Sequence, residues 1–213
     1  MVVLLVLLTL VLFVVADAVV TYLREREKRP AAEGKPVPAP AELPGGMFLH
    51  PTHTWITIEP GGMVRIGLDE IARKLIGPVN GLRFAENGWR VRKGETLLWI
   101  KVGGEELPIP APVGGTVKET RAAHAMASGN DPDAWLVALE PDHLAADLQP
   151  MRLAEEATSW LLEEMRRLRL ALEELHFAAN GTLLDGGEPT TGILGALGKS
   201  QREQLFQLFL VRS

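Results

Sequence analysis

Residues 91–117, VRKGETLLWIKVGGEELPIPAPVGGTV, constrain the fold of this chain more than any other stretch. Two apolar runs, residues 97–102 and 107–113, stand on either side of the pair Gly103-Gly104. Glycine reaches positive φ without a steric penalty, so two glycines between apolar runs predict a tight β-hairpin. Lys93-Gly94-Glu95 and Val113-Gly114-Gly115-Thr116 punctuate the outer ends as turns would. The expected hairpin lies between two further strands, and its tip carries no side chain.

The flanking sequence repeats this pattern of short strands and turns. Trp55, Ile56 and Ile58 start a strand, Pro60-Gly61-Gly62 turns it, and residues 63–67 return. Residues 68–76 place Leu68, Ile71, Ala72, Leu75 and Ile76 at helical spacing, with acids first, bases last and Gly77-Pro78 as a stop. Further strands are expected at residues 81–84, 97–102, 107–109, 115–117 and 135–139. Many short strands with Gly/Pro turns predict a mostly β unit, a small sandwich or barrel, over residues 47–150. Residues 151–177 then carry an apolar stripe of Leu153, Ala157, Trp160 or Leu161, Met165 or Leu168, Leu172 and Leu175. That spacing predicts a long amphipathic helix. Residues 191–197 and 201–211 read as short C-terminal helices that make the tail a small helical lid, and residues 151–213 together form a helical extension.

The N-terminus has a different composition. Residues 1–16 contain no charge, and Asp17 is the only one before Arg24. About 20 apolar residues at ~1.5 Å each cross a ~30 Å hydrocarbon core, so residues 1–23 are expected to be a transmembrane helix. A signal peptide needs a basic n-region, and nothing basic precedes the apolar run. Arg24, Arg26, Lys28 and Arg29 follow it instead. The positive-inside rule then puts the N-terminus outside and the body in the cytoplasm, as a single-pass protein of the inner membrane. Residues 24–46, charged and then rich in Pro, Ala and Gly, form a semi-rigid linker.

The residue inventory removes most chemistries. The chain has no cysteine, which excludes disulfides, zinc–thiolate sites, iron–sulfur clusters and thiol catalysis. A net charge of −5 with scattered Lys and Arg leaves no nucleic-acid footprint. His50 and His53 have a ligand-like separation but lack further donors nearby, and no metal site is expected. Ser128, Ser159 and Ser200 lack a nucleophile elbow, and no phosphate-cradling loop joins a strand to a helix. Asp69-Glu70 and Glu163-Glu164 fit helix-start or surface roles. Glu105-Glu106, beside the tip, fits a solvated surface role, with an acidic docking point as the alternative. No catalytic constellation is left, so an enzyme is not expected.

Several short motifs occur together in order. They are Thr52-His53-Thr54-Trp55, the run VRIGLDEIARKLIG at residues 64–77, and Val91-Arg92-Lys93-Gly94-Glu95. Ala111-Pro112-Val113-Gly114-Gly115 and Asn130-Asp131-Pro132 with Trp135-Leu136 complete the set. In these motifs residues 52–140 resemble the H protein of the glycine cleavage system, a member of the lipoyl-domain (barrel-sandwich hybrid) superfamily. The resemblance implies that fold and a hairpin tip whose lysine carries lipoate between partner enzymes. Counting from Val91 or back from Ala111, the lysine position falls on Gly104, and glycine cannot be acylated on a side chain. The nearest lysine, Lys101, lies three residues earlier on the strand. The leading expectation is a non-enzymatic, membrane-tethered H-protein-like domain without a lipoylation site or other cofactor. It would act as an adaptor or assembly subunit for protein partners at the membrane, held to the lipid bilayer through residues 1–23. One alternative is a genuine carrier in glycine cleavage or a related lipoate-dependent pathway, modified at Lys101 or working without modification. The other is an efflux-pump periplasmic adaptor, which also joins an anchor to unmodified lipoyl-like domains.

Overall fold

The strands of the body pair around a fully buried tryptophan. A computed structural model describes residues 43–77, 81–121, 134–180 and 191–211. Strand β1 (Phe48–Leu49) pairs with β2 (Thr54–Ile58), and β2 pairs with β3 (Val64–Leu68), all antiparallel. Trp55 in β2 is fully buried and sits opposite Gly67 in β3. Its indole N–H donates to the carbonyl of Leu68 at 3.0 Å. A Cβ on residue 67 would overlap the indole ring carbons. Gly67→Ala is therefore expected to lower stability by about 1–3 kcal/mol, the usual cost of overpacking a filled core, as read by denaturant melts.

Helix α1 (Glu70–Ile76) starts two residues later than the periodicity suggests. Leu68 is held in β3 by its pairing with Thr54, and the buried Asp69 caps the helix by accepting from the amides of Ile71 and Ala72. Gly77, at φ 72°, ends it as expected. The chain continues through β4 (Leu82–Phe84), β5 (Arg90–Val91), β6 (Thr96–Val102), β7 (Glu105–Pro110), β8 (Gly115–Thr120) and β9 (Val137–Pro141). Short helix α2 (Leu144–Asp147) and strand β10 (Arg152–Leu153) lead into helix α3 (Ala154–Asn180). Helices α4 (Ile193–Ala196) and α5 (Lys199–Phe206) and a π-helical turn at Gln207–Val211 complete the described chain.

The strands form a seven-stranded sheet in the order β10-β1-β2-β3-β9-β8-β5 and a three-stranded sheet in the order β4-β6-β7. The mostly β expectation therefore holds. Two details of the C-terminal expectation change. Arg152-Leu153 are strand residues, because they pair with Leu49 and Phe48 at the edge of the large sheet. The sheet thus continues past residue 150, and the long helix starts at Ala154, whose φ of 55° marks the switch. Of the expected stripe, Ala157, Leu161, Met165 and Leu168 are buried, whereas Leu153 is exposed. Leu205, Phe206, Phe209 and Leu210 of the tail are also buried.

Among the described residues no helix is long and apolar enough to cross a membrane. The expected transmembrane helix at residues 1–23 and nearly all of the 24–46 linker lie outside the described residues.

Candidate functional site

The β6–β7 hairpin is closed by the pair Val102 and Glu105, leaving Gly103-Gly104 as a two-residue loop. Their φ values are 58° and 85°, and two consecutive positive φ angles are the signature of a type I′ turn. A Cβ on Gly104 would enter open space, but one on Gly103 would lie 2.6 Å from an Arg202 guanidinium nitrogen. The two glycines are thus not equivalent. Gly104 faces solvent, and Gly103 is seated against another part of the chain.

Below the turn, pleating separates two faces. Leu98, Ile100, Val102, Leu107 and Ile109 point into the core, while Lys101 stands directly opposite Glu106 on the exposed face. Lys101 is therefore on the sheet surface and not at the tip. Arg83 donates to Glu106 at 2.7 Å and stacks 3.8 Å from the centre of the Trp99 ring. That hydrogen bond, reinforced by the charges of Arg83 and Lys101, holds the Glu106 carboxyl below its usual range.

The acidic pair beside the tip is not simply solvated but bonded from within the chain. Glu105 receives Lys199 at 2.9 Å on one oxygen and Arg202 at 3.1 Å on the other. The Lys199 hydrogen bond is the main reason its carboxyl is held low. Arg202 is buried, and its remaining donors go to the carbonyls of Leu194 and Leu197, each at 2.9 Å. Sequence reasoning missed both cations. No local signal pairs residues 97 positions apart, and Arg202 reads as an ordinary surface charge on a short helix.

His50 and His53 do not share a site. His50 is buried, with Nδ1 accepting from the Thr52 amide at 3.3 Å and lying 2.8 Å from the Thr52 hydroxyl. Burial, helped by Lys93, His53 and Arg152, lowers its pKa to about 4. His53, at φ 57°, donates from Nδ1 to Asp69 at 2.7 Å, and its Nε2 lies 3.7 Å from Glu164 of α3. Its ring stacks on Trp160 at 5.0 Å. Burial opposes the charged form, but the Asp69 carboxylate and then Glu164 outweigh it and raise the pKa to about 9. Asp69 is therefore a fully buried counter-ion as well as a helix cap, not a solvated surface acid. Among the described residues no three His, Cys, Asp or Glu side chains are arranged to hold a metal ion.

An open hollow of about 590 Å³ lies on the surface between Trp89, Arg90, Arg92, Glu95, Asp142 and His143. Its charges largely pair with one another: Arg90 donates to Asp142 at 3.0 Å, and Glu95, which accepts from the Arg92 backbone amide at 2.8 Å, lies 4.0 Å from the Arg92 guanidinium. No nucleophile and base meet there.

The family model for the glycine cleavage H-protein matches residues 48–164, more than half of the chain. The chain belongs to the glycine cleavage H-protein family. A probable glycine cleavage system H protein of Pyrococcus abyssi is 27% identical over 120 residues, covering 54% of this chain and 90% of that protein. Glycine cleavage system H protein 2 of Aquifex aeolicus is 28% identical over 118 residues, covering 53% of this chain and 73% of that protein. The crystal structure of a glycine cleavage system H protein from Mycobacterium marinum aligns with a TM-score of 0.42 at 23% identity, over 55% of this chain and 98% of that one. The family match runs past the β body into the first half of α3, as far as Glu164. Lys199 and Arg202 lie beyond it.

Proposed function

We propose that this chain is a non-enzymatic H-protein-like domain that carries no lipoate and serves as a membrane-tethered adaptor or assembly subunit. The observation behind this reading is the hairpin tip. Where the family resemblance implies an acylated lysine, the turn has Gly104 with open space around it. Lys101 faces Glu106 across the sheet, where strand geometry fixes its Cβ direction and no turn presents it to a modifying enzyme. A scaffold that keeps the hairpin but not the acceptor amine retains its surfaces as its means of action, so its partners are proteins. The apolar stretch at residues 1–23 supports anchoring in the inner membrane, with the N-terminus outside and the body in the cytoplasm.

The test is to recover the native protein from fractionated cells and take its intact mass and peptide map. The expected result is an unmodified chain in the membrane fraction. A lipoyl adduct on Lys101 would favour the carrier reading and overturn this one. Recovery in the soluble fraction would overturn the tether.

A further inference from the structure

Strand β7 is one edge of the three-stranded sheet, with β6 on one side and, among the described residues, no strand on the other. An uncovered edge offers its unpaired backbone groups to any extended chain, here mainly carbonyls because Pro108 and Pro110 have no N–H, and proteins commonly cover such edges. Here the π-helical turn Gln207–Val211 packs against β7, with Phe209 and Leu210 buried. The same tail reaches the hairpin tip through α5, where Arg202 lies against Gly103.

The polar contacts of this tail divide into two sets. Arg202 Nε and one Nη donate to Leu194 and Leu197, which ties α4 to α5 within the tail itself. The other Nη and the Lys199 ammonium converge on the two oxygens of Glu105, which belongs to the hairpin. Gly103 fits this arrangement twice. Its φ of 58° suits the turn, and only a residue without a Cβ leaves room for the guanidinium.

We propose that residues 193–211 act as a resident cap, an autoinhibitory contact that covers the β7 edge and one flank of the tip and is clasped shut through Glu105. The apolar part, around Phe206 and Phe209, anchors the cap. The clasp is the part made to open. The Lys199 side chain is 84% exposed and that of Glu105 34%, so solvent and salt weaken their attraction, and a competing charge on a partner can replace it. Opening frees the Glu105 carboxylate and the carbonyl edge of β7, whose Pro108 and Pro110 have no N–H to donate, for a protein partner. The cap does not depend on whether Lys101 carries a group, so its failure and that of the lipoate-free reading are separate results.

Hydrogen exchange of the full-length chain in detergent micelles, read by mass spectrometry, tests the cap. Glu105→Gln removes the charge, and Glu105→Lys sets a cation against Lys199 and Arg202. Both leave the Arg202 bonds to Leu194 and Leu197 in place. Exchange at residues 199–206 and 103–107 is expected to rise about tenfold in Glu105→Gln and further in Glu105→Lys, with α3 and the seven-stranded sheet unchanged. Unchanged exchange at residues 199–206 in both variants would overturn the clasp. An equal rise throughout the chain would show a general structural role and overturn it as well.

Discussion

Asp69→Ala is expected to lower stability by about 3–5 kcal/mol, the cost of stripping one partner from a buried ion pair. Asp69 is fully buried and uses both carboxylate oxygens. One accepts from the amides of Ile71 at 2.9 Å and Ala72 at 3.0 Å, and the other receives His53 at 2.7 Å. Alanine removes the cap, typically worth about 1 kcal/mol, and also leaves the imidazole facing Glu164 without its nearer counter-ion. The two losses do not simply add, because His53 can shed its proton once Asp69 is gone. Asp69→Asn separates them. Its side-chain oxygen still caps α1, so it should lose less than alanine while still weakening the ion pair. Denaturant unfolding of the full chain in detergent measures both. If Asp69→Ala stayed within about 1 kcal/mol of the parent, the assignment of this cluster as a main junction of the fold would be wrong.

Local code explains what the sequence made legible. Gly103-Gly104 between apolar runs names its turn without outside help, and so does Gly77 at the end of α1. The start of α3 was not legible from periodicity, because Arg152 and Leu153 fit a helical stripe but are claimed by Leu49 and Phe48. The candidate site suffered most from this. His50 and His53 are close in sequence and lack visible donors there, yet the partners of His53, namely Asp69, Glu164 and Trp160, come from the cap of α1 and from α3. Glu105 looked free for a partner because its cations sit in the tail. The hairpin's lack of an acceptor could be read off the chain, but the side chain of Arg202 beside Gly103 could not. Contacts between distant segments carry no local signature, and in this protein those contacts surround the tip.

Stability should trace a dome against pH with its top near pH 6.5, because His50 and His53, both buried, pull in opposite directions. The folded pKa of His53 is raised from 6.5 to about 9. Between those values the folded state holds a proton that the unfolded state has released, so stability is full below 6.5 and falls as pH rises toward 9. The folded pKa of His50 is lowered from 6.5 to about 4. Between 4 and 6.5 the unfolded state binds the extra proton, so stability falls as pH drops. Each limb is on the order of 3 kcal/mol deep, at about 1.4 kcal/mol for each pH interval of one between the folded and unfolded pKa. The carboxyls of Glu105, Glu106 and Glu164 are also held low. Their contribution is lost only as pH falls below the ordinary carboxylate range, so the limb just under pH 6.5 belongs to His50. Denaturant midpoints from about pH 5 to about pH 9.5 should show both limbs, with His50→Gln flattening the acid side alone. A stability that stays level from pH 6.5 to 9 would mean that His53 is neutral in the fold. The Asp69–His53–Glu164 junction would then be a hydrogen-bonded contact instead of the ionic one its geometry describes.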